Sequence, residues 1–429
     1  MTQLAERHET YVTAFEALKR DAAFGRGALA QSREAAFDRF LSRGLPTTRD
    51  EEWRFTNIGP IAGTTFERAP AAAVDAALLD RLAFADSAAA TVVVSNGRVV
   101  SGVRTLPAGV TVRTMADARE AELVPARPRG GTAFADLNQA LFEDVVVIDI
   151  APKAVVRQTL HVLHVAQRSH GAPVLASPRL VIVAGEQSQA SIVESYATVG
   201  GDGVFVNAVT DVHVAAGALI DHVKLQRQDD ASFHLASVFV TTGRGGTFTS
   251  QAVTLGGRIA RNDIISVLDG DGAECTLNGL YVAGGDSLVD THTTIDHAQP
   301  HCPSHEVYKG ILTGRARAVF NGKIIVRLDA QKTDAKQTNK ALLLTDEAQI
   351  NTKPQLEIFA DDVKCTHGAA IGQLDEDAMF YLKARGISAV EARNMLIHAF
   401  AGDVLNGIQS EDVRHAAMRI VEDKLGLPA

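Results

Sequence analysis

The sequence predicts a mainly β protein, a β-helix core flanked by helical regions at both ends. Three observations carry that prediction. From about Glu143 the chain becomes a train of short Val, Ile, Leu and Thr runs, such as RLVIVA, ALIDHVKL and AVFNGKIIVR, separated by Gly, Asp, Asn or Ser turns. Strand starts at Ala218, Ser232, Thr247, Ile259, Ala273, Ser287 and Ala316 recur every 12 to 15 residues, or at twice that interval where a rung is hidden. No hairpin signature interrupts this spacing, which favours stacked coils over a sandwich. Composition agrees: 35 glycines against 5% aromatic residues suit a solenoid of small side chains and tight turns.

At the N-terminus, Leu4, Tyr11, Val12, Phe15 and Leu18 form one stripe of a helix over residues 4–24. A second helix is expected over 32–41, and Gly44 and Pro46 stop it. The only tryptophan, Trp53, reads as a packing anchor for this arm. Residues 69–90 are Ala-rich and read as helix or linker. Short strands follow at 91–100 and 110–114, around the turn Asn96-Gly97. The Pro/Arg/Gly patch PARPRGG, residues 125–131, is the expected linker. The chain thus divides into an N-terminal helical arm with a small mixed region (1–130), a β-helix core (131–372) and a C-terminal helical domain (373–429). In that last domain Asp375 caps a helix, Gly386 suits a left-handed C-cap, and Ser388 with Glu391 forms a capping box. The next helix has an apolar face including Met395, Leu396, Phe400 and Val404, and a last helix runs over 410–421. The helical ends are expected to cap the coils, leaving one open flank for a second chain.

Formal net charge is −9, which provides no basic stripe for nucleic acid and no polybasic patch for a membrane. The N-terminal stretch is charged throughout, without the apolar region of a secretory signal, and no run of about 18 apolar residues exists. Cys275, Cys302 and Cys365 are too scattered for a disulfide framework, so a reducing cytoplasm is expected.

Cys365 and His367 are the first candidates for chemistry. On an extended strand residues two apart share a face, so sulfur and imidazole nitrogen stand side by side, a donor pair suited to iron, zinc or copper. The plainer reading is a packed thiol and a hydrogen-bonded histidine. A second dense stretch, DTHTTIDHAQPHCPSH (290–305), holds four histidines, two aspartates and Cys302, but its spacing matches no standard zinc signature, and polar packing between coils is favoured. Cys275 reads as an inward structural thiol. Asp269, Asp271 and Asp290 keep a polysaccharide-cleaving β-helix open as an alternative, although Asp269-Gly270-Asp271-Gly272 is more simply a turn. A stand-alone metal-binding protein is the other alternative. No phosphate-binding loop occurs, so any ATP hydrolysis belongs to another subunit.

The run DDVKCTHGAAIGQLDEDAMFYLKARGIS resembles the segment that identifies the SufB/SufD family of iron–sulfur cluster assembly proteins, and more closely its SufD branch. Gly44, Pro46, Glu52, Trp53, Arg54, Phe55 and Thr56 resemble the family's opening segment, and Ser304, Tyr308, Lys309 and Gly310 a framework element. Ala370 stands where related chains often have threonine. The resemblance implies a right-handed parallel β-helix and a non-catalytic scaffold. It also implies a SufB-like paralogue as heterodimer partner and a SufC-like ABC ATPase on the C-terminal region; in isolation a homodimer is open to the chain. Residue by residue, His367 would be the cluster-associated histidine with Cys365 beside it. Tyr381, Arg385, Met395, Leu396 and Phe400 would serve partner binding. The cluster would be transient, shared at the partner interface and not stably held by the lone chain.

Overall fold

The computed structural model describes residues 3–70, 72–82, 84, 88–101, 105–124, 131–168, 171–199 and 203–426. Two long ladders of parallel strands dominate it. One runs Val146–Ile150, Arg179–Ala184, Val204–Val214, Phe233–Thr242, Ile259–Leu268, Leu288–His297, Arg317–Val326 and Gln349–Ile358. The other runs Ala88–Ser95, Thr159–Gln167, Gln189–Val199, Leu219–Gln226, Thr247–Thr254, Glu274–Ala283, Pro303–Leu312, Asp334–Leu343 and Lys364–Gly372. Strands alternate between the two sheets, so each coil contributes one to each, and the result is a parallel β-helix of about seven turns.

The rung hidden between Ser287 and Ala316 is Pro303–Leu312. Sequence reading also passed over Asp334–Leu343, whose text DAKQTNKALL looks like a loop. Its inward positions are Ala335, Gln337, Asn339 and Ala341, all buried; two are small and two are amides that meet a partly polar lumen, so no branched aliphatic marks the strand there.

One corner of the coil explains several sequence oddities together. Lys153, Gln187, Gly217, Gly245, Gly272, His301 and Lys332 all have φ between 56° and 67°. Each sends its N–H to a carbonyl of the next coil, as in Gly272 N to Pro300 O at 3.1 Å and His301 N to Gln331 O at 2.9 Å. The left-handed turn is therefore repeated coil on coil, by glycine where available and against its steric cost elsewhere. The Asp-Gly-Asp-Gly turn is part of this column.

At the N-terminal end the ladders finish in antiparallel strands, Arg98–Ser101 beside Ala88–Ser95 and Val110–Arg113 beside Val146–Ile150. The expected Asn96-Gly97 turn is present, with φ of 50° and 81°. The ladder thus begins upstream of residue 131. Residues 125–130 of the expected linker, and residues 71, 83 and 85–87 of the Ala-rich stretch, lie outside the described residues; a helix spans Ala76–Leu82.

The N-terminal helices are Gln3–Lys19 and Gly27–Arg43, the second starting five residues before the expected 32. Phe15 stacks on Phe37 at 4.1 Å, and Tyr11 meets Phe40 edge-on. Helix Ala133–Leu141 joins this cluster, which packs on the first sheet through Leu175, Phe205, Phe233 and Ile259. Arg33, fully buried against the Phe142 ring, donates to the carbonyls of Ala140 and Ala23.

The C-terminal helices are Glu376–Ala384, Ala389–Leu405 and Glu411–Leu425. Asp375 accepts from Ala378 N, and Ser388 and Glu391 form the capping box. They do not cap the coils as expected. Instead Ile397, Ala401, Val404, Leu405 and Ile408 lie on the outer face of the second sheet, against Val223, Val253, Leu280, Val282 and Ile311. That apolar strip has the helical spacing i, i+4, i+7, i+8; of the expected face, Val404 lies in it and Phe400 packs beside it, whereas Met395 and Leu396 are left out of it. Met395 is 50% exposed.

Candidate functional site

The β-helix ends in an uncovered coil. Gln349–Ile358 and Lys364–Gly372 are the outermost strands of their sheets, and most of their side chains are half-buried or exposed. Their free edges present unpaired backbone groups, and Ile371 (48% exposed), Ile358 and Phe359 add apolar surface.

Cys365 and His367 lie in this last strand. Parallel register places Cys365 over Ala335 and His367 over Gln337. Coil by coil the column beneath Cys365 continues through Ser304 and Cys275, and the column beneath His367 through Glu306 and Leu277. Since Cys275, Leu277, Ser304 and Glu306 are lumen residues, Cys365 and His367 both point along the lumen at its open mouth. Cys365 is half-buried against Ile324, Val326, Ala330, Ala335 and Ala360. Burial pushes its thiol up from the ordinary value, aided by Asp334, so the group is a protonated thiol unless a cation draws off its proton. His367 is exposed.

These two donors suit iron, but they are only two. Among the described residues no group of three or more His, Cys, Asp or Glu side chains converges to hold a metal. An iron–sulfur cluster takes more protein ligands than this mouth supplies.

The histidine-rich stretch 290–305 disperses over several sides of the coil. His292 faces outward between Asp290 (3.0 Å) and Glu52 (3.1 Å). Its pKa is pulled down by burial but carried up to about 9 by the Asp290 carboxylate and both hydrogen bonds. His297 is in the lumen beside Ser304 Oγ at 3.0 Å, and burial holds it down to about 4. His301 occupies the left-handed corner and pairs with Asp271 at 2.8 Å. Cys302 is buried, its Sγ 3.3 Å from the Gly270 carbonyl. Cys275 is fully buried, its thiol pushed up to about 12 by desolvation, as a structural thiol should be.

Asp290 is no free carboxylate either. It receives Arg261 Nη1 and Thr56 Oγ1, each at 2.6 Å, and its pKa is held down to about 2 because Arg261, His292 and Thr56 together outweigh its burial. Asp269 and Asp271 are exposed turn residues.

The partner-binding candidates divide. Tyr381 is exposed, its hydroxyl accepting from Arg385 at 2.9 Å; Met395 is exposed and Leu396 half-buried. Phe400 is partly buried against the second sheet under the Lys309 ammonium, 4.5 Å from its ring centroid. Sequence reading missed Phe380, 73% exposed, and Val390, which extend the apolar surface of this helical hairpin.

It also missed the lumen's polar groups. Glu194, fully buried, is bound by His222 Nε2 (3.0 Å) and Thr210 Oγ1 (2.7 Å). Burial raises its pKa, but the His222 bond and the charges of His222 and Lys224 outweigh this and hold it below the carboxylate range. The available signal was spacing: once His367 is taken as inward, positions about 30 residues back, Gln337 and Glu306, are inward too.

A family model described as SUF system FeS cluster assembly, SufBD core domain, matches residues 165–400. An iron–sulfur cluster assembly SufBD family protein of Synechocystis is 32% identical over 397 residues, covering 89% of this chain and 87% of the relative. The iron–sulfur cluster assembly protein SufD of Escherichia coli K12 is 30% identical over 394 residues, covering 90% of each. With the β-helix, its helical flanks and matches of this breadth, the chain belongs to the SufBD family of iron–sulfur cluster assembly proteins and is SufD-like.

Proposed function

We propose that this chain is the SufD-like scaffold subunit of a SUF assembly complex. Its open coil pairs with a SufB-like paralogue, and its C-terminal helical hairpin docks a SufC-like ABC ATPase that hydrolyses the ATP. His367, with Cys365 beside it, lends a ligand to an iron–sulfur cluster in transit, and a cysteine of the paralogue completes the site. The chain itself is a non-catalytic, cytoplasmic scaffold, and in isolation its open coil can pair with a second copy.

The observation that carries this reading is the placement of His367 on the outermost strand of an uncovered coil. A free strand edge invites another sheet. A second chain stacked there faces the imidazole directly, and a site divided between two chains releases its cargo when they move apart. The polysaccharide-enzyme reading loses Asp290, tied to Arg261 and Thr56.

The test is co-expression with the paralogue and the ATPase. His367→Ala should leave the ternary complex intact but abolish cluster formation, read by absorbance and Mössbauer spectra, with Cys365→Ser milder. Normal clusters in the His367→Ala complex would remove the ligand role.

A further inference from the structure

Directly beneath His367 lies a buried amide with one oxygen unused. Gln337 and His367 are register partners in adjacent parallel strands, about 4.8 Å apart along the stack. Gln337 is buried, and its Nε2 donates to Glu306 Oε2 at 2.7 Å. That bond fixes which way the amide faces. Its Oε1 has no hydrogen-bond partner among the described residues. A buried unpaired carbonyl oxygen is costly, so a donor is to be expected for it.

The surroundings are cut to hold this amide. A Cβ on Gly322, across the lumen, would lie 2.2 Å from Gln337 Nε2, so a larger residue there would push this amide out of its position. Glu306 is fully buried one coil further in, and desolvation pushes its carboxyl up to about 7. In either protonation state it keeps an oxygen able to accept from Gln337 Nε2, so the amide's orientation holds across neutral pH.

We propose that Gln337, oriented by Glu306, is the positioning residue for His367: its Oε1 accepts the imidazole N–H, leaving the other ring nitrogen for iron. A ligating histidine needs its tautomer and ring plane set by such a partner. The proposal rests on the ligand role of His367, but its test needs no metal.

In the full-length chain carrying labelled histidine rings, two-bond proton–nitrogen correlations report each tautomer, with His367→Gln assigning the signal. Wild-type His367 should be a single tautomer. Gln337→Leu and Glu306→Leu should turn it into a mixture, while Glu306→Gln, which keeps the acceptor, should restore the single form. In the assembled complex Gln337→Leu should speed cluster loss to a chelator about tenfold. A tautomeric mixture in the wild-type chain overturns the proposal whatever the variants do. So does a folded Gln337→Leu chain with an unchanged signal. Failure of the ligand role would instead show only as normal clusters in the His367→Ala complex, so the two failures are distinct.

Discussion

The guanidinium of Arg261 lies 3.8 Å from the centroid of the Trp53 ring. It simultaneously donates to Asp290, to Asp263 and to the Glu52 carbonyl. Thr56 closes on Asp290 from the same segment, and Glu52 reaches His292. The Glu52 to Thr56 segment is thus a latch that fastens the N-terminal arm to the β-helix, and Trp53 is the packing anchor expected of it.

The latch should be pH-dependent. In the unfolded chain His292 titrates near the ordinary histidine value, about 6.5; in the latch it titrates at about 9. Its contribution to stability is therefore fully present below about pH 6.5 and lost as pH rises through about 9. Urea melts of wild type and His292→Gln should differ most near pH 6 and converge by about pH 10. A constant gap would show that His292 acts only by packing.

Two tyrosines rely on the absence of a side chain next to them. A Cβ on Gly279 would lie 2.1 Å from the Tyr308 ring, and one on Gly310 would lie 2.1 Å from that of Tyr281. Gly279→Ala should destabilise the chain by about 3 kcal/mol, the upper range for overpacking a core. Gly131→Ala, where nothing lies within 4 Å and no positive φ is required, should be close to neutral. Chemical denaturation of both variants tests the contrast.

On the helical hairpin, the proposed partner contact and folding should separate by residue. Phe380→Ala and Met395→Ala remove exposed groups and should abolish capture of the ATPase while changing stability by no more than about 0.5 kcal/mol. Ile397→Ala, on the buried strip, should cost about 2 to 5 kcal/mol. Capture assays and thermal melts on the same preparations check both. Undiminished capture by the double exposed variant would move the docking surface elsewhere.

The open coil is expected to be the pairing edge. Ala369→Lys and Ile371→Lys place charges on its exposed last strand, a device that blocks edge-to-edge association. Both variants should fold normally yet sediment as monomers when mixed with the paralogue. Heterodimer at wild-type yield would place the interface on another surface.

Much of this was legible in the chain itself because it is local chemistry. The 12 to 15 residue rhythm follows from strand and corner lengths within one coil, and the caps at Asp375 and Ser388 are written in consecutive residues. The i, i+2 relation between Cys365 and His367 is likewise a property of extended backbone, and it holds. Even so, Asp334–Leu343 hid as a loop, because hydrophobic patterning assumes an oily interior and this lumen is partly built from Gln, Asn and Glu.

Tertiary structure alone decided which way the helices turned and what lay beneath the histidine. The face of Ala389–Leu405 that is buried depends on the aliphatic residues that the second sheet happens to offer, contributed by strands up to about 200 residues earlier. His292, His297, His301 and Cys302 are neighbours in sequence but point to different sides of a coil, since strand alternation and a left-handed corner part them. Gln337 and Glu306 stand under His367 only because coils stack in register, bringing residues 30 and 61 positions away into one column. Sequence spacing specifies what each strand presents to a face; the stacking of coils determines which of those presentations meet.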